Sequence, residues 1–199
     1  MSEPETAATP TASPEVVGAV NAVFAEYRVG VSQGDAQAVV SAISEDSIED
    51  QDRIVELARS APAEEVRALP AAEQLLVLTY RLNDELLDAD DPFMALVSGG
   101  FAGQDRSLGE LGRIIPVSDQ SVLGVATEPG TGAETPRRWR FVNEADGWRF
   151  DLIEAQRLVS QAVATTASRN DTSVAQLVAA TIEDLSGADA ETVDALYEP

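Results

Sequence analysis

Residues 137–153, with the sequence RRWRFVNEADGWRFDLI, decide the fold because they carry the pattern of a β-hairpin. Aromatic residues alternate with other residues on both sides of the turn signal Asp146-Gly147. Both tryptophans of the chain, Trp139 and Trp148, lie in this segment. The hairpin therefore supplies much of the large apolar surface from which a core is built.

The pairing register of the hairpin follows from the two-residue period of a strand, because a slip of one residue would move every side chain to the other face. A four-residue loop between the strands pairs Phe141 with Phe150 and Trp139 with Leu152. In this register the aromatic side chains, including Trp148, share one face. We expect that face to form one side of the core.

Apolar residues recur at steps of three and four in several other segments, which is typical of amphipathic helices. These segments are residues 14–33, 44–60, 70–82 and 174–185. Gly34-Asp35 ends the first of these helices. Alternating apolar residues predict two more strands, at residues 111–117 and 122–127, with Pro116 at an edge position or a bulge.

The order of these elements predicts an α+β fold, in which N-terminal helices pack on a four-stranded antiparallel sheet and C-terminal helices follow. We expect residues 1–14 to be a disordered tail, residues 15–165 to form the domain, and residues 166–199 to be an acidic C-terminal helical extension. The apolar stripe of helix 174–185 should pack on its own domain, whereas residues 189–199 should stay more mobile.

Composition excludes several classes of chemistry. The chain of 199 residues has 35 acidic residues and 13 basic ones, a net charge of −22, and no His, Cys or Lys. A Ser-His-Asp or Cys-His nucleophile pair, the usual zinc sites, and a lysine Schiff base therefore cannot form. We predict no cofactor and no metal site, and we lean towards a protein that is not an enzyme.

The acidity also bears on partners and location. Nucleic acid binding needs clusters of basic residues, so we expect no nucleic acid partner. No apolar run approaches the length of a membrane span, and the first residues lack the pattern of a signal peptide. The sequence therefore predicts a soluble, cytoplasmic protein without a membrane partner.

Three motifs, in order, resemble the nuclear transport factor 2-like superfamily, which includes the ketosteroid isomerases and the SnoaL-like proteins. They are Phe24-x-x-Tyr27 followed by Gly34-Asp35, the segment LLVLTYR at residues 75–81, and FVNEADGWRFDL at residues 141–152. The second and third are similar to a bacterial subgroup with an enlarged helical part. The resemblance implies a curved sheet wrapped over helices as a cone, a pocket at its wide end, and in many members a homodimer through the sheet.

For catalysis, the resemblance points to Tyr27, because ketosteroid isomerases place an oxyanion-hole tyrosine at this distance before their Gly-Asp pair. Their general base would fall near Gln51, which is flanked by Asp50 and Asp52. Tyr27, Asp50 and Asp52 are therefore the catalytic candidates. The alternative for Tyr27 is a core residue with its hydroxyl at the surface.

Four arginines are candidates for binding a ligand or a partner. Arg81 follows the most apolar helix, so it could hold an anionic ligand or pair with a carboxylate. Arg138, Arg140 and Arg149 lie on the hairpin face opposite the aromatics. They could bind an acidic partner or an anion, or form cross-strand ion pairs on a solvated face.

The favoured function is a non-catalytic binding or assembly module that holds a small apolar ligand or a protein partner. One alternative is an acid–base isomerase or dehydratase that uses Tyr27 and a carboxylate. Another is a structural dimeric accessory domain. The feature that distinguishes them is a pocket in which Tyr27 and an acid converge.

Overall fold

The computed structural model describes residues 11–100 and 108–199, and it confirms the α+β fold class. Within these residues, helices come before and after a four-stranded antiparallel sheet, as the sequence predicted. The elements are α1 (Pro14–Gln33), α2 (Ala36–Ala42), α3 (Glu45–Ser60), α4 (Ala63–Ala68), α5 (Ala71–Leu82), α6 (Asp84–Leu87), α7 (Pro92–Ser98), β1 (Glu110–Ser118), β2 (Ser121–Thr127), β3 (Glu134–Glu144), β4 (Gly147–Phe150), α8 (Leu152–Arg169), α9 (Val174–Ser186) and α10 (Ala190–Ala195).

The predicted disordered tail mostly lies outside the described residues. Of its described part, Ser13 caps α1 through its side chain, and the Ala12 N–H donates to the carbonyl of Ile114 at 3.1 Å. The predicted boundary between residues 165 and 166 falls inside α8.

The Gly34-Asp35 pair forms the corner between α1 and α2. Gly34 has a φ of 68°, a left-handed conformation that ends α1 and that other residues adopt only with strain. A side chain there would also meet the carbonyl oxygen of Ser98 on the neighbouring α7. The Asp35 side chain then accepts the N–H of Ala38 and caps α2. This corner brings α1, α2 and α7 close together.

The sheet has the order β1-β2-β3-β4, so β1 and β4 are its edge strands. Pro116 lies on β1 between register irregularities, which confirms its predicted edge position. The closing hairpin has the predicted register at Phe141 and Phe150. The predicted four-residue loop is wrong, because Glu144 pairs with Gly147 and leaves a loop of two residues, Ala145 and Asp146.

One part of the predicted register is wrong, because Trp139 does not pair with Leu152. The strand β4 ends at Phe150, and the Asp151 side chain accepts the N–H of Glu154 at 2.9 Å. This N-cap starts α8 at Leu152, where the sequence pattern continued the strand. Trp139 pairs instead with Gly124 on β2.

The core between α1 and the sheet is a cluster of five aromatic rings. The ring centroid of Phe150 lies 4.7 Å from that of Tyr27 and 5.4 Å from that of Phe141. Phe24 and Trp139 complete the cluster, and Trp139 also donates its Nε1–H to the carbonyl of Leu108 at 3.0 Å. Trp148 is only half-buried at the margin of this core.

The C-terminal helices pack on the rest of the chain. On α9, Val178 and Ile182 are buried and Leu185 is exposed, which confirms that most of the predicted stripe docks on its own domain. The expectation of a loosely held final segment does not fit the packing, because Val193 and Tyr197 are buried as well. Their burial joins α10 and the residues after it to the core.

Candidate functional site

A cavity of about 230 Å³ lies among the helices. Residues from α1, α2, α3, α5, α7 and α8 line it, and no described lining residue belongs to a strand. The corner at Gly34 sets this arrangement, because it lets α2 and α7 approach the end of α1. The cavity is therefore a product of helix packing, and the face of the sheet that meets α1 is filled by the aromatic cluster.

The walls of the cavity are mainly apolar. Ten of its thirteen described lining residues have apolar side chains: Val31, Val39, Ala72, Leu75, Leu76, Phe93, Leu96, Val97, Leu152 and Val159. The other three are Tyr27, Gln51 and Gln156, so no described lining residue carries a charge at neutral pH. A cavity of this composition suits a neutral molecule, since a buried charge without a partner costs a large desolvation energy.

Gln51 is the polar residue that most distinguishes the cavity. Its side chain is only 1% exposed, and its Nε2 atom has no hydrogen-bond partner among the described residues. A buried donor without a partner costs about 1–3 kcal/mol, so a group that accepts from it would be stabilised there. The resemblance named Gln51 only as the position near which an isomerase's general base would fall, and it did not make Gln51 itself a site residue. Its signal was an amide in the middle of an otherwise apolar helix face.

Two other buried side-chain atoms also lack a partner among the described residues, the Oε1 atom of Gln74 and the hydroxyl of Tyr80. Neither residue lines this cavity. The Nε2 atom of Gln74 donates to the carbonyls of Arg67 and Leu69, which gives that amide a role in joining α4 to α5. Burial raises the pKa of Tyr80, which therefore stays neutral at physiological pH.

The catalytic candidates do not converge. Tyr27 lines the cavity, but Asp50 pairs with Arg53 at 2.8 Å and Asp52 is exposed. Successive residues of a helix point about 100° apart, so only Gln51 of the three consecutive residues faces the interior. The structure thus brings Tyr27 together with an amide, where the isomerase hypothesis needs a carboxylate.

Arg81 is buried, does not line this cavity, and forms no ion pair with a carboxylate of the described residues. Its Nε donates to the carbonyl of Ala58 at 2.8 Å, and its Nη2 donates to the carbonyl of Leu57 at 3.0 Å. Its Nη1 donates to the carbonyls of Leu196 and Tyr197. Burial lowers the pKa of Arg81, although a guanidinium remains charged at neutral pH. All three nitrogens are thus engaged, and Arg81 holds the end of α3 to the end of α10.

The three hairpin arginines share the outer face of the sheet, as the alternation predicted. Arg140 lies 3.7 Å from Asp151, and Arg149 lies 2.5 Å from Asp146. Arg138 donates to the backbone carbonyls of Thr135 and Arg137. Arg138 and Arg149 thus donate within the hairpin and Arg140 lies near a carboxylate, which supports the local-pairing alternative without removing the positive charge from this face.

Four larger clefts lie at the surface of the described residues. One of about 980 Å³ borders Arg81, and five of its thirteen lining residues are acidic. A second, of about 540 Å³, lies between α5 and α8. The other two, of about 620 and 400 Å³, lie beside α4 and beside the loop between β2 and β3. The charged arginines of the second cleft already pair with acids, Arg67 with Asp194 and Arg157 with Glu154. Among the described lining residues of these clefts, none has a buried side-chain donor without a partner, as Gln51 has in the helix-lined cavity, although Gln74 on the second cleft has an unpartnered acceptor, its Oε1.

Within residues 11–100 and 108–199, no helix is both long enough and apolar enough to cross a membrane. The same residues contain no group of three or more acidic side chains arranged to hold a metal ion.

Comparisons with known proteins give no match: none was found among protein-family models, curated proteins or solved structures. The geometry of the cavity is therefore the observation from which a function is argued.

Proposed function

We propose that this protein is a non-catalytic binding module that holds a small apolar ligand in the helix-lined cavity. The observation that carries the proposal is an apolar space of about 230 Å³ with a buried amide donor, Gln51, on its wall. The cavity is partly open, since Val159 on its wall is 40% exposed. A ligand that covers the apolar walls removes apolar surface from water, which stabilises the complex.

The isomerase or dehydratase alternative has weaker support. It keeps Tyr27 in the cavity wall, but neither Asp50 nor Asp52 lines the cavity with it. The structural accessory domain remains the second alternative, and a protein partner would find the positive charges of Arg138, Arg140 and Arg149 on the outer face of the sheet.

Other parts of the proposal rest on the sequence. From the sequence we also propose that the protein belongs to the nuclear transport factor 2-like superfamily, comes from a bacterium, is cytoplasmic, and forms a homodimer through the sheet. The order of helices before an antiparallel meander supports the first. The net charge of −22 supports the expectation that nucleic acids are not partners.

Native mass spectrometry of freshly purified protein tests the function, because it reports a retained small molecule and the number of subunits together. Saturation-transfer NMR with ethylbenzene then tests the empty protein for apolar binding. A Val159→Trp variant should weaken binding, because Val159 lines the cavity and is 40% exposed, so a larger side chain can enter the space without replacing a buried one.

The matched control is Val29→Trp, since Val29 is also an exposed helical valine but does not line the cavity. Ethylbenzene should bind this variant as it binds the wild type. No retained molecule, together with no ethylbenzene signal or an equal signal in all three proteins, would contradict the proposed function.

A further inference from the structure

Gln51 narrows the chemistry of the ligand. Its side chain is 1% exposed and its Nε2 has no partner among the described residues, while ten of the thirteen described wall residues are apolar. A wholly apolar ligand would fill the space but would leave this donor unsatisfied. A ligand with an acceptor opposite Gln51 gains the hydrogen bond and the apolar contacts together.

The absence of charged groups on the described cavity walls excludes both anions and cations as ligands. An anion would be buried against walls whose described residues include no Arg, in a chain with a net charge of −22. A cation would be buried without a carboxylate, because the acids nearest in sequence, Asp50 and Asp52, do not line the cavity. An ion in apolar surroundings loses its hydration without a compensating partner.

Size sets the third limit. A cavity of about 150 Å³ with apolar walls holds one benzene ring. The cavity of about 230 Å³ therefore admits a molecule with roughly ten non-hydrogen atoms.

We infer that the ligand is a neutral, mainly apolar molecule of about this size whose single hydrogen-bond acceptor, a carbonyl or ether oxygen, accepts from Nε2 of Gln51. This inference rests on the proposed function and adds to it the chemical class of the ligand and the residue that selects it. Gln51 is the specificity-determining residue, and the apolar walls supply most of the contact area.

The test uses two neutral probes of equal shape, acetophenone and α-methylstyrene, which differ only in a carbonyl oxygen against a methylene group. Dissociation constants are measured by ligand-observed NMR titration of the full chain and of Gln51→Met, which keeps the length of the side chain but removes the donor. The ratio of the two constants should shift by about tenfold in favour of acetophenone when Gln51 is present. Comparing the ratio between proteins cancels the different hydrophobicity of the probes.

Gln37→Met is the matched control, because Gln37 is exposed on α2 and the chemical change is the same. It should preserve the wild-type ratio. If Gln51→Met does not fold, the side-chain amide signals of Gln51 in the ¹⁵N-labelled wild type give a second measurement. They should shift with acetophenone and not with α-methylstyrene.

The outcomes separate this inference from the proposed function. If both probes bind and their ratio is the same with and without Gln51, the inference is wrong and the binding function stands. Benzoate, which has the same size but carries a negative charge, should not bind, and binding as tight as that of acetophenone would also overturn the inference. If neither neutral probe binds the wild type, the proposed function fails and the inference fails with it.

Discussion

The Nη1 atom of Arg81 lies 2.5 Å from the carbonyl oxygen of Tyr197. A residue of α5 therefore holds the turn that follows α10. The same guanidinium donates to the carbonyl of Ala61 just after α3. Helix ends carry carbonyl groups without partners in the helix, and these groups need a donor when they are buried. One side chain therefore satisfies two helix ends at once.

We predict that Arg81→Met lowers the free energy of unfolding by about 3 kcal/mol or more, because it leaves several buried carbonyls without a donor. Arg81→Lys should recover only part of the loss, since an ammonium group has three donors and no planar fork. Urea unfolding measures both. The control is Arg157→Met, whose exposed side chain pairs with Glu154 and should change stability by no more than about 0.5 kcal/mol. Equal stability of Arg81→Met and the control would refute this role.

The two tryptophans of the hairpin should differ in importance. Trp139 is 2% exposed within the aromatic cluster, so Trp139→Ala should cost about 3–5 kcal/mol. Trp148 is half-buried, and Trp148→Ala should cost roughly half as much because less apolar surface leaves the core. Thermal unfolding of the two variants decides the order. A larger loss for Trp148 would mean that the cluster is not the centre of the core.

The docking of α9 predicts unequal effects of two substitutions one turn apart on the same helix. Ile182 is 2% exposed and Leu185 is 68% exposed. We expect Ile182→Ala to cost about 2–4 kcal/mol, and Leu185→Ala to stay within about 0.5 kcal/mol of the wild type. Binding of an apolar dye should rise only in the first variant. Two variants that both melt like the wild type would show that α9 is not docked in solution.

Asp151 should make stability depend on pH. Burial raises the pKa of its carboxyl, and the negative charges of Glu154 and Asp46 add to this, although the hydrogen bond from the Glu154 backbone N–H and the charge of Arg140 oppose the shift. The folded state then holds the proton more tightly than the unfolded state, so this group's contribution to stability falls as pH rises from about 4 through the raised pKa.

Asp151→Asn keeps an N-cap acceptor but removes this titration. We expect the variant to be more stable than the wild type at pH 7, and the difference to disappear below about pH 3, where Asp151 is protonated in both states. Urea unfolding at several pH values measures the difference. A wild type that is the more stable protein at pH 7 would contradict the direction of the shift.

The net charge of −22 should make the melting temperature rise with sodium chloride. Like charges repel one another in the compact state, and salt at about 0.1 M screens them beyond roughly 10 Å. Differential scanning fluorimetry from low salt upwards measures the effect. A melting temperature that stays flat over this range would show that self-repulsion is not a significant cost.

The closing hairpin was predictable because its information is local. Asp146-Gly147 determines the turn, and the alternation on both sides determines the pairing of Phe141 with Phe150. The wrong prediction at Leu152 has a physical cause. Asp151 fits the pattern both as a polar residue of a strand and as the N-cap of a helix. Leu152, the next apolar residue, fits both the two-residue period of a strand and the 3.6-residue period of a helix. The hydrogen bond from the Glu154 N–H decided between them.

The candidate site was less predictable, because it depends on groups that a sequence pattern does not display. Arg81 acts on backbone carbonyls of α3 and α10, and every residue has such a carbonyl. Tyr27 and Gln51 line the same cavity although they belong to different helices, and part of its wall comes from α2 and α7, which the corner at Gly34 places against α1. Distance in the sequence hides this kind of arrangement.

Both edge strands of the sheet are blocked from pairing with an additional strand. On β1, Pro116 offers no N–H, the register is interrupted on both sides of it, and the carbonyl of Ile114 already accepts from Ala12. On β4, which has four residues, Ser44 donates to the carbonyl of Phe150 and occupies the outer edge. An extended segment from another molecule would find no continuous ladder to join. The fold thus keeps a sheet rich in aromatic residues from serving as a template for fibrils, even at concentrations where its copies collide often.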